Sequence, residues 1–330
     1  MRRASIFKVP ITLRNVNEGA YTPQVISIGP YHHGIDRLKS MEEHKLRYLA
    51  DFFCRRQNFG LEDFVKGMKE LEKDARQCYG PIVKDETDAF VEMMILDGCF
   101  IVELFFKYYG QDIDKDVLEK DPLFHIASMI PAIRVDMLLL ENQLPLFVLH
   151  FIYTLFISGN DQCATEDAYP AGCEREVDHF LDVMRECYLS PGRLIISKGA
   201  IDHKVIPSAT ELRKAGVKFR RATTNSIFEL HFTRGVLEIP ALLLQDSTEV
   251  LFRNLIAFEQ CSINGEKQFI THYLALMDFL INSSDDVATL RRAGIIDNWL
   301  GDDEQVSQLF NKIFIGVVRV YNYRIRFNGD

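Results

Sequence analysis

The stretch from Asp88 to Tyr109, "DAFVEMMILDGCFIVELFFKYY", is apolar on nearly every face of a helix, so any fold containing it must wrap other elements around it. Placed at about 100° per residue, Asp88, Glu92, Glu103 and Lys107 share one arc, which reads as a single wet stripe. Asp97 falls about 140° from Glu92 and is expected to point into protein, where an ionised carboxylate needs a partner or a raised pKa. With 330 residues, 47% of them apolar, the chain can bury one large core or two ordinary ones.

Helical periodicity extends to both sides of this segment. Ser40-x-x-Glu43 reads as a capping box opening a helix over 40–58, with Leu46, Leu49 and Phe53 on its apolar face. A second helix spans 61–78 and stops at Tyr79-Gly80-Pro81, where glycine permits a left-handed cap and proline blocks continuation. In 132–157, "LLLENQLPLF" sets Glu141, Asn142 and Gln143 before Pro145, which predicts a break near Gln143 and Leu144, with the polar trio serving the freed carbonyls.

Beyond this, 158–173 reads as an exposed loop and 174–188 as a helix. The β signal lies in "GVKFRRA" and "SIFELHFTRGVLEIPALLL", which predict a small antiparallel element around residues 216–245. Ser208-x-x-Glu211 caps a short helix that Gly216 ends, and Asp246-x-x-Glu249 opens another. Further helices are expected at 268–282, 285–293 and 303–323, with Gly294 and Gly301 as stops. The fold class is therefore mainly α (α+β). Residues 1–157 form an N-terminal helical part and 158–173 a variable loop, and 174–330 form a C-terminal helical part with the small sheet, expected to pack as one domain with the first.

Several function classes are excluded by composition and motif. Net charge −9 and pI about 5.6 repel nucleic acid except at a local patch, Arg213, Lys214, Lys218, Arg220 and Arg221, which is read as a solvated face. The seven cysteines, at 54, 78, 99, 163, 173, 187 and 261, make no Cys-x-x-Cys pair and no zinc spacing, so neither metal nor cofactor is expected. Cys54 and Cys99 lie in apolar segments and are read as buried thiols, while a Cys163–Cys173 bridge is sterically possible. No signal-peptide run opens the chain, and the longest apolar window, Leu144 to Ile157, falls short of the roughly 20 residues that span a bilayer. G-x-S-x-G, Walker, G-x-G-x-x-G and H-E-x-x-H patterns are absent from the sequence.

Chemistry could sit in "GPYHHG", where His32 or His33 would act as general acid or base near neutral pH. The preferred alternative is a tight turn whose histidines bond backbone and aim the chain into the next helix. Asp97 is a buried catalytic acid or, preferably, a structural carboxylate. Glu141 and Asn142 either line a pocket or satisfy the proline-broken helix. Glu42, Glu43 and His44 read as a solvated first turn, and Asn282-Ser283-Ser284 is a glycosylation sequon.

These same stretches carry a resemblance. "IFKVPITLRNVNEGAYTPQVISIGPYHHG", "MEEHKLRYLADFF", "DARQCY", "MMILDGCFIVELF", "DMLLLENQLPLFVL", "SATELRKAGVKF", "GVLEIPALLL", "TEVLFRNLIAFEQC" and "GIIDNWLGDDEQVSQLFNKI" resemble the ordered signatures of the plant family catalogued as domain of unknown function 247, over about residues 6 to 315. The resemblance implies a plant source and a mostly helical domain with a small β element. Members usually continue past the equivalent of Asn311 to Tyr323 into a C-terminal hydrophobic membrane helix, and some in grasses are implicated in self-incompatibility. No catalytic residue set comes with it.

Two expectations follow. The first is a non-catalytic recognition protein presenting loops 110–122 and 158–173 to a protein or peptide partner, with a small-molecule ligand as a further possibility through Tyr31, His33, Asn142 and Gln143. Its membrane association would run only through an anchor in longer relatives, and the chain as given is read as soluble. The second is a metal-free enzyme acting on a small plant metabolite through His32 or His33 as base and Asp97 or Glu141 as acid. In that case these groups should converge on a pocket of roughly 300 Å³ or more.

Overall fold

The computed structural model describes residues 4–55, 60–80, 83–109, 121–157, 177–189, 196–198, 206–223, 230–261, 268–318 and 323–325. Helices dominate, with a few short strands in small sheets, as the sequence predicts. The chain divides into two compact units, Met1–Val9 with Tyr21–Val183 and Pro10–Ala20 with Met184–Asp330.

In the first unit the apolar Thr87–Tyr109 helix is the central element, touched by the helices Ser40–Cys54, Leu61–Gln77 and Leu146–Ile157. Phe90, Phe100, Phe52, Phe64, Val148 and Ile152 fill the space between them and are fully or almost fully buried. Phe64 stacks between Phe52 and Phe151, at ring separations of 5.9 and 6.1 Å, which ties three of the helices together.

The wet stripe is corrected by the structure. Asp88 and Glu92 are exposed, but Glu103 and Lys107 are buried. Each is retained inside by an opposite charge, from the helix Ser40–Cys54 or the residue that caps its end: Arg55 Nε lies 2.9 Å from Glu103 and Lys107 Nζ 2.7 Å from Asp51. That helix is likewise turned from its expected orientation. Met41, Lys45, Tyr48 and Phe52 make its buried face; of the expected face Leu49 and Phe53 pack partly buried against the core, while Leu46 is 54% exposed. A lysine had hidden the stripe, because Lys45 enters the core only as half of an ion pair. The Ser40-x-x-Glu43 box is not formed, since a 3-10 turn, Asp36–Leu38, runs directly into the helix and leaves Ser40 inside it with helical Lys39 at the cap position.

Gly80 does not take a left-handed conformation; it serves close packing, with Phe7 standing 2.7 Å from where a Cβ would be. The break before Pro145 comes earlier than expected, the helix Met129–Asp136 ending before the turn that leads into Leu146–Ile157.

In the second unit Thr248–Cys261 packs on Phe269–Leu280, and Ser284–Arg292 on Asp303–Ile313. The Ser208/Glu211 capping box is formed, and Ser283 with Asp286 makes a second that sequence reading missed. Asp246 lies outside its expected helix, which begins at Thr248, and the last helix ends at Ile313. The hairpin His231–Thr233/Val236–Ile239 is antiparallel, turning through Arg234 and Gly235, both at positive φ. Lys218–Arg221 adds to it in parallel, so the element is mixed. Leu242–Leu244 pairs in parallel with Ile296–Asn298, and Ile196–Lys198 pairs antiparallel with Tyr323–Ile325.

Cys54 and Cys187 are exposed, contrary to the buried-thiol expectation for Cys54, whereas Cys78 and Cys99 are buried. Cys163, Cys173, the loop 158–173 and residues 110–120 lie outside the described residues.

Candidate functional site

Residues Gln24 to Gly29, "QVISIG", have the β-branched character of a strand but join no sheet among the described residues. Their backbone amides still need acceptors, because Ile26, Ser27, Ile28 and Gly29 are buried. Side chains of a helix end, Asp136, of the turn that follows it, Asn142, and of the middle of the central helix, Asp97, supply them. Asp136 Oδ2 accepts from Val25 and Ile26 at 2.7 and 2.9 Å, and Asp136 Oδ1 from Gln24 at 2.9 Å. Asn142 Oδ1 accepts from Ile28 at 2.7 Å, and Asp97 Oδ2 from Gly29 at 2.7 Å. Three successive amides thus converge on the one Asp136 carboxylate where the chain bends, and Asn142 and Asp97 take the amides of Ile28 and Gly29.

Burial raises the Asp136 carboxyl above its ordinary range, and the three amides offset part of that rise. Sequence reasoning passed over Asp136, because the helix end at which it lies was expected later, near Gln143 and Leu144.

Asp97 uses its second oxygen on Lys45, 2.6 Å away, both side chains being fully buried. Burial opposes the Lys45 ammonium, but Asp97 and Glu42 outweigh it and hold its pKa above the usual lysine value. Glu42 lies 2.7 Å from the same nitrogen, so it belongs to this cluster and not to a solvated turn. A parallel cluster surrounds Asp121, which accepts from Arg47 and Tyr48, each at 2.8 Å, from Lys107 at 2.9 Å and from the Leu123 amide at 3.1 Å.

The trio before Pro145 is engaged in the same way. Gln143 Nε2 donates to the Met137 and Leu139 carbonyls at 2.6 and 2.8 Å, and Asn142 Nδ2 to those of Ile26 and Asp136 at 3.0 and 2.9 Å. The carbonyls freed at the helix end thereby find donors. Glu141 Oε1 accepts from the Val9 amide at 2.6 Å, which fastens the N-terminal segment.

His32 is buried, with Nε2 3.4 Å from Glu141 Oε2 and, among the described residues, no aligned hydrogen bond to it. His33 is exposed and joins none of these clusters. Tyr31 donates to the Ile6 carbonyl at 3.3 Å and packs edge-on against Tyr79 at 5.5 Å. Burial, and then Glu141, push its phenol well above the ordinary range. The structure therefore brings His32 to Glu141 and Asp97 to Gly29, and leaves His33 outside.

A general acid or base needs a lone pair or proton directed at a substrate-sized space. Both Asp97 oxygens and the amide groups of Asn142 and Gln143 are already spent on protein partners. Two surface depressions, of about 570 and 510 Å³, are lined by Leu61, Val65 and Lys69 and by Arg221, Leu243 and Arg291 respectively, and by none of His32, Asp97 and Glu141. Among the described residues no group of three or more His, Cys, Asp or Glu side chains is disposed to hold a metal ion, and no helix is long and apolar enough to cross a membrane.

The second unit repeats the device. Buried Glu259 accepts from the Ile270 amide at 3.0 Å and from Thr271 N and Oγ1 at 2.8 and 2.7 Å, so it caps the helix Phe269–Leu280, with Arg185 3.4 Å away. Asp286 accepts from Thr210 N at 2.8 Å and from Ser283 N at 3.0 Å.

Comparison with known proteins finds the family DUF247, described as plant protein of unknown function, matching residues 6–327. A UPF0481 protein of Arabidopsis thaliana is 33% identical over 95% of this chain and 73% of its own length. A second Arabidopsis thaliana protein carrying the UPF0481 designation is 22% identical over 93% of this chain and 77% of its own. No solved structure matches.

Proposed function

The chain belongs to the DUF247 family of plant proteins of unknown function, and from that premise we propose that it is a non-catalytic recognition protein for a protein or peptide partner. One observation carries this reading: the polar side chains of the family-bearing segments, Asp97, Asp136, Glu141, Asn142 and Gln143, spend their oxygens and nitrogens on buried backbone groups and ion pairs. Groups so engaged make a rigid scaffold, and a rigid scaffold is what surface recognition needs. Resemblance to members implicated in self-incompatibility supports a signalling partner. Membrane association, through a C-terminal helix of the kind longer members carry, belongs to the same proposal.

The competing reading is a metal-free acid/base enzyme acting on a small plant metabolite, and His32 favours it, being a buried imidazole beside a carboxylate without an aligned bond. His32→Ala and Asp97→Asn separate the two. Incubation of wild type and variants with plant metabolite extract, followed by mass spectrometry and thermal melting, is expected to show lower Tm and no wild-type turnover. A metabolite consumed by wild type but not by a stably folded His32→Ala protein overturns the recognition reading.

A further inference from the structure

We propose that Thr223 is a phosphorylation site for a kinase that recognises paired arginines. The inference goes beyond the recognition reading and stands independently of it.

The tetrad Arg-Arg-x-Ser/Thr occurs twice in the chain, as Arg2-Arg3-Ala4-Ser5 and as Arg220-Arg221-Ala222-Thr223, and Arg37-Leu38-Lys39-Ser40 is a weaker form with one arginine. Kinases that read basic residues hold the acceptor chain extended, with carboxylates placed for guanidinium groups two and three residues before the hydroxyl. Sequence alone does not choose among the three.

The structure does. Ser5 is 5% exposed, and its hydroxyl is buried without a partner among the described residues. Its amide and that of Ile6 both donate to the Cys78 carbonyl at 2.9 Å, the Gly80 amide donates to the Ile6 carbonyl at 2.8 Å, and His179 Nε2 lies 3.2 Å from the Ser5 carbonyl. Releasing the segment breaks all of these bonds and uncovers Ile6; at about fivefold in population per bond, the reactive fraction falls roughly five-hundredfold. Ser40 is exposed but helical. Arg37 lies in the 3-10 turn that runs into the helix, so the three residues from Arg37 to Ser40 rise about 5 Å, against about 10 Å for an extended chain in a kinase groove.

Thr223 meets both requirements. Lys218–Arg221 is the outer strand of the three-stranded sheet, paired on one side with Val236–Ile239, and its course continues through Ala222, whose amide donates to the Ile239 carbonyl at 2.9 Å. Thr223 follows that last rung, exposed, and its hydroxyl makes no hydrogen bond among the described residues. Arg220 and Arg221 are exposed as well. Arg220 Nε lies 2.6 Å from Glu238, a surface pair that a kinase carboxylate displaces at small cost. Arg221 has no carboxylate partner among the described residues and borders the open depression of about 510 Å³, from which its guanidinium is reached.

In the transfer, Thr223 Oγ attacks the γ-phosphorus of ATP, the bond to the β-phosphate oxygen breaks to release ADP, and the hydroxyl proton passes to the catalytic aspartate of the kinase. The product carries about −1.5 to −2 further charges at pH 7, two residues from Arg221.

The test incubates the whole protein with Mg-ATP and the catalytic subunit of cyclic-AMP-dependent protein kinase as probe, beside synthetic peptides of residues 1–12 and 216–228, with sites located and timed by tandem mass spectrometry. Thr223 is expected to react in the folded protein within about tenfold of its peptide, and Ser5 to be slowed about a hundredfold or more relative to its own. Replacing Arg220 and Arg221 together with alanine should slow labelling of Thr223 about tenfold or more, in the protein and in the peptide alike, while far-UV circular dichroism shows that the fold is kept. Thr223→Val should remove the label. Soluble plant leaf extract supplied with Mg-ATP should mark the same residue with the same dependence on the two arginines. The inference is overturned if Thr223 stays unlabelled in the folded protein with either source of kinase, or if Thr224, Ser5 or Ser40 is labelled faster. Equal labelling of wild type and the arginine variant overturns it too. None of these outcomes touches the recognition reading, which only substrate turnover removes.

Discussion

Replacing Asp97 with asparagine keeps the shape and an acceptor for the Gly29 amide but removes the charge opposite Lys45. Breaking a buried ion pair by removing one partner costs about 3–5 kcal/mol, because the other charge is left desolvated. Glu42 stays 2.7 Å from Lys45 Nζ and offsets part of that loss, so the low end is expected, about 3 kcal/mol or roughly a hundredfold in the folding constant. Asp97→Ala also orphans the Gly29 amide, now bonded at 2.7 Å, and adds about 1–3 kcal/mol. Lys45→Met combined with Asp97→Asn removes both charges and should recover most of the loss, giving a coupling of about 2–3 kcal/mol. Urea unfolding followed by far-UV circular dichroism reads wild type, Asp97→Asn, Asp97→Ala, Lys45→Met and the double variant. If Asp97→Asn lies within about 0.5 kcal/mol of wild type, or the double variant is merely the sum of the singles, the pair is not what joins Ser40–Cys54 to the central helix.

Two further perturbations report on neighbouring contacts. His179 is fully buried, its Nε2 3.2 Å from the Ser5 carbonyl and its Nδ1 accepting the Asp182 amide at 3.3 Å, so the neutral ring with hydrogen on Nε2 satisfies both. Burial lowers its pKa to about 4, against an ordinary 6.5. The histidine contribution is therefore intact above pH about 6.5 and lost as pH falls toward 4, on the order of 3 kcal/mol in all, and the wild-type minus His179→Gln stability difference should trace that slope; a flat difference refutes it. Gly29 and Gly34 both have positive φ, 74° and 79°, but a Cβ at Gly29 would stand 2.5 Å from the Gln143 carbonyl oxygen while one at Gly34 meets nothing within 4 Å. Gly34→Ala should cost about 1–2 kcal/mol for the backbone alone and Gly29→Ala clearly more, by urea unfolding; equal losses would show that the close approach to Gln143 is unimportant.

Legibility in the sequence followed the kind of signal. Apolar surface all round announced the central helix, and proline chemistry announced that Asn142 and Gln143 would serve a broken helix end. Asp97 was recognisable as inward-pointing from its angle alone. Its partner was not, because Lys45 sits in a register that looks like a solvated lysine until the opposing acid is known. The same reason placed Glu103 and Lys107 on a wet stripe: a helix wheel measures angle, and the angle that faces water in an isolated helix here faces Arg55 and Asp51. Acceptors for the backbone amides of another segment leave no local periodicity, so Asp136 and Glu259 emerged only when the segments they serve were brought together. "GPYHHG" proved divided, one histidine buried beside Glu141 and the other in solvent.

The central claim is that the side chains of Asp136, Asn142 and Asp97 supply the acceptors for the backbone amides of Gln24–Ile26, Ile28 and Gly29. Residue-resolved amide hydrogen exchange on wild type and Asp136→Ala tests it most directly. The account predicts slow exchange at Val25, Ile26, Ile28 and Gly29 in wild type, and in the variant a selective loss of protection at Val25 and Ile26 while Ile28 and Gly29, held by Asn142 and Asp97, stay slow. Unchanged protection at Val25 and Ile26 in Asp136→Ala would contradict it.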